Sequence, residues 1–218
     1  FGWSTEMNKQ SGFTLVEIAI VLVIIGLLLG GVLKGQELIT QAKIKNVAND
    51  LNGMSAAIYG YQDRYKKFPG DDDAAEARWT NPATKKGDGN AAVGVTGVKA
   101  ILDCSAVANK DGENCRFWQH LRLAGFIGGD SASALAPQNA VGGVLQAQHG
   151  ALGLSGLVVC TSNLPGKIAN AIDAQFDDGN PDKGSVRGQS DATKLDTAMT
   201  GAAYVDDGAT VYVVCKPI

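Results

Sequence analysis

Glu17 is the residue whose chemistry stands out first. It sits in Gly12-Phe13-Thr14-Leu15-Val16-Glu17, and an unbroken apolar run from Ile18 to Leu33 follows it. As a helix, that run is long enough to span a hydrocarbon core of about 30 Å. A lone carboxylate at the head of such a span is costly in lipid, so it is functional by default. The plainer reading is a carboxylate that snorkels to the interface. An ordinary secretory signal would place small residues and a cleavage site after its apolar core. Gly30-Gly31 matches that weakly and leaves both Glu17 and Gly12 unexplained.

The other candidates for chemistry are thinner. Cys104, Cys115, Cys160 and Cys215 contain no Cys-x-x-Cys pair, and only His120 and His149 could join them, which argues against zinc. An even cysteine count in an exported domain suggests two disulfides, with three possible pairings. The short loop favours Cys104 with Cys115, which leaves Cys160 with Cys215, each at the end of an apolar run. Asp178-x-Asn180-x-Asp182 copies the first ligand positions of a calcium loop. Gly184 and Gln189 then fail the EF-hand pattern. Two readings stay open there: a polar turn, or a looser calcium site using Asp177, Asp178, Asn180 and Asp182. Asp71-Asp72-Asp73 poses the same choice and reads as a solvated loop. Gly153-Leu154-Ser155-Gly156 falls short of a nucleophile elbow, and there is no phosphate-binding loop or dinucleotide fingerprint. The chain is not expected to be an enzyme.

These residues need elements to hold them. Ile44, Val47, Leu51, Met54, Ile58, Tyr61 and Tyr65 recur at three- and four-residue spacing, which defines one helical face. With no proline before Pro69, one helix is expected from Phe13 to about Tyr65, ended by Phe68-Pro69-Gly70. Residues 69–113 read as a loop-rich connection. A short helix is expected over Cys115–Ala124, burying Phe117, Trp118 and Leu121. Residues 128–150 read as small and flexible. Gly156–Cys160 reads as a strand, and Pro165 opens a helix carrying Ile168, Ile172 and Phe176. A terminal hairpin is expected, with arms at 203–205 and 210–215. The order predicts an α+β fold: a long N-terminal helix on a small antiparallel sheet with short helices.

Gly12-Phe13-Thr14-Leu15-Val16-Glu17, with the leader Met7–Gly12 and the apolar run, resembles the type IV prepilin processing motif. The element order is similar to type IV pilins and the pseudopilins of type II secretion. The resemblance implies cleavage by prepilin peptidase between Gly12 and Phe13, and N-methylation of Phe13. It also implies assembly with other pilin or pseudopilin subunits into a helical filament, with Glu17 pairing the new amine of a neighbouring subunit. Many such subunits carry a proline near Lys34. This chain has none, and Gly26, Gly30, Gly31 and Gly35 offer flexibility instead.

The resulting division is a leader at 1–12, a membrane and polymerisation helix at 13–33, its amphipathic continuation at 34–68, and a globular domain at 69–218. Lys9 precedes the span, while Lys34, Lys43 and Lys45 follow it, so charge alone does not orient the helix. The cysteines and the resemblance place the N-terminus in the cytoplasm and the domain outside. The precursor is expected in the bacterial inner membrane, and the mature form in a periplasmic pseudopilus or an extracellular pilus. Net charge is −3 across 218 residues, and it stays −3 without the leader because Glu6 and Lys9 cancel. No basic excess announces nucleic acid, since Lys66-Lys67 and Lys85-Lys86 are the only adjacent basic pairs. The rival classes are a minor tip subunit that binds DNA or a surface, and a monomeric membrane-anchored envelope protein.

Overall fold

The computed structural model describes residues 14–94, 100–106, 109, 111–197, 199–201 and 203–218. Helix α1 (Leu15–Tyr65) enters both of the units into which the chain divides, residues 1–41 and 42–218. From Ile18 to Leu33 the helix is apolar on all sides, and Leu15 through Leu33 are exposed. It is long and apolar enough to cross a membrane. Gly26, Gly30 and Gly31 do not interrupt it.

In the second unit α1 becomes one-sided. Val47, Ala48, Leu51, Ala57, Ile58 and Tyr61 are buried, while Ile44, Met54 and Tyr65 pack at the margin. The helix stops because Lys66 adopts a left-handed backbone and Pro69 cannot continue it.

Short α2 (Ala75–Arg78) is the only regular element in the described connection between α1 and α3 (Glu113–Leu123). Strands β1 (Leu145–Ala151) and β2 (Leu154–Pro165) lead into α4 (Gly166–Phe176). Strands β3 (Arg187–Gln189) and β4 (Val211–Pro217) complete a four-stranded sheet in the order β1-β2-β4-β3, antiparallel at every step. The fold is α+β and pilin-like, with the long helix packed on an antiparallel sheet beside short helices.

Both sheet faces are covered. Leu157 and Val159 face the main core with Leu145, Ala147 and Val214, where the α1 stripe, Phe117, Trp118, Leu121, Ile168 and Ile172 meet them. Val158 and Cys160 face the other way, against Val213, Cys215, Leu152 and Leu195. This two-sided burial explains why Gly156–Cys160 reads as a continuous apolar run rather than an alternating one. Fully burying each large apolar side chain contributes roughly 1.5–3 kcal/mol.

Two segments differ from their sequence reading. Residues 145–151 form an edge strand, not a flexible stretch. Their sequence, Leu-Gln-Ala-Gln-His-Gly-Ala, lacks β-branched residues. The buried Gln146 instead accepts from the Leu102 amide, donates to Ala100 O, and bonds Gln148. The expected hairpin is also absent. Residues 203–205 form no strand, because Val205 N donates to Tyr212 Oη and Tyr204 Oη turns to Asp173. The partners of β4 are β2 and β3.

Disulfides join Cys104 to Cys115 and Cys160 to Cys215. Cys160 and Cys215 are directly paired across β2 and β4. With sequence separations of 11 and 55, chain-entropy arguments give about 3 and about 4 kcal/mol respectively.

The turn after α1 depends on Gly70. Its φ is +85°, and an added Cβ would collide with the Glu113 carbonyl at the start of α3. Gly53, exposed on α1, has open space around it. Gly70→Ala is expected to destabilise the protein by roughly 2–4 kcal/mol. Gly53→Ala should stabilise it by up to about 1 kcal/mol. Chemical denaturation of the detergent-solubilised chain measures both.

Candidate functional site

The first described residues form a capping box. Thr14 N and Oγ1 donate to Glu17 Oε2 at 2.8 and 2.9 Å, and Glu17 N donates back to Thr14 Oγ1 at 3.3 Å. Thr14-x-x-Glu17 thereby supplies partners for backbone amides that the first helical turn leaves open. The signal was present in the sequence, where Glu17 reads only as a membrane carboxylate. Glu17 also places negative charge at the positive end of the helix dipole. Both hydrogen bonds fall on Oε2, and Oε1 accepts none from the described residues. Gly12 and Phe13, the expected cleavage and methylation positions, lie outside the described residues.

The turn expected as a possible calcium loop is internally bonded. Asp177 Oδ2 accepts from the Ser185 and Val186 amides. Asp178 Oδ1 accepts from Asn180 N, Asn180 Oδ1 from Asp182 N, and Asp182 Oδ2 from Gly201 N. Among the described acidic groups, the structure brings Asp177 and Asp178 together with buried Asp173, and Asp182 stands outside that group. Asp173 already accepts from Gly179 N and Tyr204 Oη.

Asp71 and Asp72 are buried, against the solvated-loop reading, and only Asp73 is exposed. Asp72 accepts from Tyr61 Oη at 2.7 Å, Arg78 Nη1 at 2.6 Å and Ala74 N at 3.0 Å. Burial alone would raise its pKa, but the bonds from Arg78, Tyr61 and Ala74 outweigh burial and hold it below the usual carboxylate value. Burial pushes the Asp71 carboxyl up to about 6.

The two histidines are structural. His149 Nδ1 accepts from Val93 N at 3.0 Å. His120 is fully buried and lies parallel to Tyr61 at 6.4 Å between ring centroids. Its Nδ1 accepts from Gly70 N at 2.9 Å, so Nε2 carries the proton and donates to Lys85 O at 3.0 Å. That neutral tautomer ties α3 to the turn after α1. Burial lowers its pKa to about 4.

Residues 7–33 match the protein family described as "Prokaryotic N-terminal methylation motif". The match runs from Met7 through Glu17 and the apolar run to Leu33. The chain thus carries the N-terminal methylation motif typical of type IV pilins and pseudopilins. No curated protein and no solved structure matches it.

The His120 geometry generates a pH dependence. Between about pH 6.5 and 4 the unfolded chain binds a proton that the folded His120 refuses, so this residue's contribution is intact above 6.5 and lost as pH falls toward 4. The stability advantage of wild type over His120→Gln should shrink by about 3 kcal/mol across that window. Asp71, whose raised pKa acts with the opposite sign, is common to both proteins and cancels in the difference. Denaturation curves of the pair across pH test this.

Proposed function

We propose that this chain is a structural subunit of a type IV pilus or a type II secretion pseudopilus, without catalytic activity of its own. In this reading it is inserted in the inner membrane with its N-terminus cytoplasmic, cleaved by prepilin peptidase between Gly12 and Phe13, and N-methylated on Phe13. It then assembles with other subunits through residues 13–33, with 34–68 linking that helix to the domain at 69–218. The single observation that carries the reading is the methylation motif at the head of an apolar helix whose first turn holds Glu17.

The chemistry of assembly follows from charge. Cleavage creates a positive amine at Phe13, and Glu17 is the acidic group near the head of the span. Pairing Glu17 of one subunit with Phe13 of the next neutralises both charges in lipid, where either alone is costly. The pairing fixes axial register, while the apolar helix faces supply packing. The Thr14 bonds occupy Oε2, so Oε1 is the oxygen open to a neighbour's amine.

Intact mass and N-terminal sequencing of the membrane form should show N-methylated Phe13 as the first residue. A chain starting after Gly31 would instead indicate ordinary secretory export.

Glu17→Gln separates the two roles of this side chain. Glutamine also completes a capping box, so helix start and membrane insertion should persist. The charge is lost, so incorporation into filaments should fall at least about tenfold, the loss of roughly 1.4 kcal/mol of pairing. Wild-type incorporation of Glu17→Gln would overturn the charge-pairing mechanism.

A further inference from the structure

Three carboxylates from separate stretches of the chain converge beside the start of α3. Asp71 comes from the turn after α1, Asp88 from the loop before α3, and Glu113 is the first residue of α3. One oxygen from each lies within 4.8 Å of the others. Their outer sides are held by the loop itself. Asp71 Oδ2 accepts from Ala91 N at 2.9 Å. Asp88 accepts from Asn90 N at 3.0 Å and Asn90 Nδ2 at 2.8 Å. Glu113 accepts from Asp88 N and Gly94 N, both at 3.0 Å.

Acidic clusters are common on surfaces and by themselves signify nothing. This one has a buried member. Asp71 is only 1% exposed, and its Oδ1 has no hydrogen-bond partner. A buried carboxylate oxygen without a donor is costly, and so is the approach of three like charges. The neighbouring cations do not resolve the problem. Arg116 and Lys86 line a cleft with Asp88 and Glu113, yet the Arg116 guanidinium donates to Lys86 O and its buried Nε has no partner. With Asp73 and Lys86, which also line that cleft, four carboxylates against two cations leave a formal charge of −2.

We propose that Asp71, Asp88 and Glu113 form a divalent-cation site that clamps the turn after α1 to the start of α3. The all-oxygen donor set selects a hard cation. Asp88 is exposed, leaving one side of the site open to water. Calcium, which accepts six to eight oxygens in flexible geometry, fits such a mixed protein and water shell better than magnesium with its strict octahedron. The site is separate from the turn at 177–182 and does not depend on the chain being a filament subunit.

The test is calorimetric titration of the full-length chain in detergent with calcium chloride, beside thermal unfolding in calcium or chelator. Wild type should bind calcium, with magnesium weaker, and melt higher in calcium than in chelator. Asp88→Asn and Glu113→Gln replace partly or fully exposed ligands with near-isosteres. Each should weaken binding by at least about tenfold, with an unchanged far-ultraviolet spectrum showing that the fold is kept. Asp178→Asn should leave binding unchanged. No calcium binding by wild type, or binding retained by both Asp88→Asn and Glu113→Gln, overturns the proposal. Loss of binding in Asp178→Asn alone moves the ion to the other turn and overturns it equally.

Discussion

Asp72 has no contact with water, and that places a severe demand on everything around it. A buried charge must be answered by a partner and by hydrogen bonds at the place where it sits. Arg78 supplies the charge from α2, Tyr61 the hydroxyl from the last turns of α1, and Ala74 the amide from the turn between them. Removing one partner of such a group typically costs about 3–5 kcal/mol. Three segments are thereby fixed to one carboxylate. The Asp72 carbonyl also receives the Gly87 amide, which brings in the following loop. Around this point the aromatic groups close: the Arg78 guanidinium lies 4.2 Å from the Tyr65 ring centroid, and Tyr65 meets Trp79 edge-on. The turn after α1 is therefore a structural hub, and its position brings Gly70 within reach of His120 and Asp71 within reach of Glu113.

Much of this architecture was legible in the residues because it rests on periodicity. The α1 stripe, the Phe117, Trp118 and Leu121 face of α3, and the apolar run of β2 are local patterns that burial imposes on any sequence forming these elements. The edge strand β1 was not legible. Beyond its pairing with β2, it relies on Gln146 and Gln148, whose amides satisfy neighbouring backbone groups, and glutamine carries no strand signature. The segment at 203–205 has strand-like residues, but Tyr204 is drawn inward by Asp173, a contact no local pattern announces. The convergence of Asp71, Asp88 and Glu113 was equally hidden. Each belongs to a different segment, and only the folded turn brings them together.

The N-terminal carboxylate shows a different kind of ambiguity. Position in an apolar run marks Glu17 as costly, and the Thr14 bonds show how one chain can lower that cost by itself. A cap contributes about 1 kcal/mol, less than the few kcal/mol that an unpaired charge costs within a bilayer. Local bonding therefore lowers the burden on Glu17 without removing the advantage of a cationic partner. In the proposed filament, that inequality would let Glu17 begin its own helix and still favour association.

The cross-strand link between Cys160 and Cys215 has a mechanical consequence. Tension applied to the chain beyond Cys215 cannot peel β4 residue by residue from its C-terminal end past that point. The load passes through the covalent link into β2, an interior strand flanked by β1 and β4. Peeling breaks hydrogen bonds in succession, whereas force delivered to an interior strand must shear several together. The bond thus converts a zipper into a rivet, and residues 161–214 become a closed ring that bears no pull transmitted along the backbone from that end.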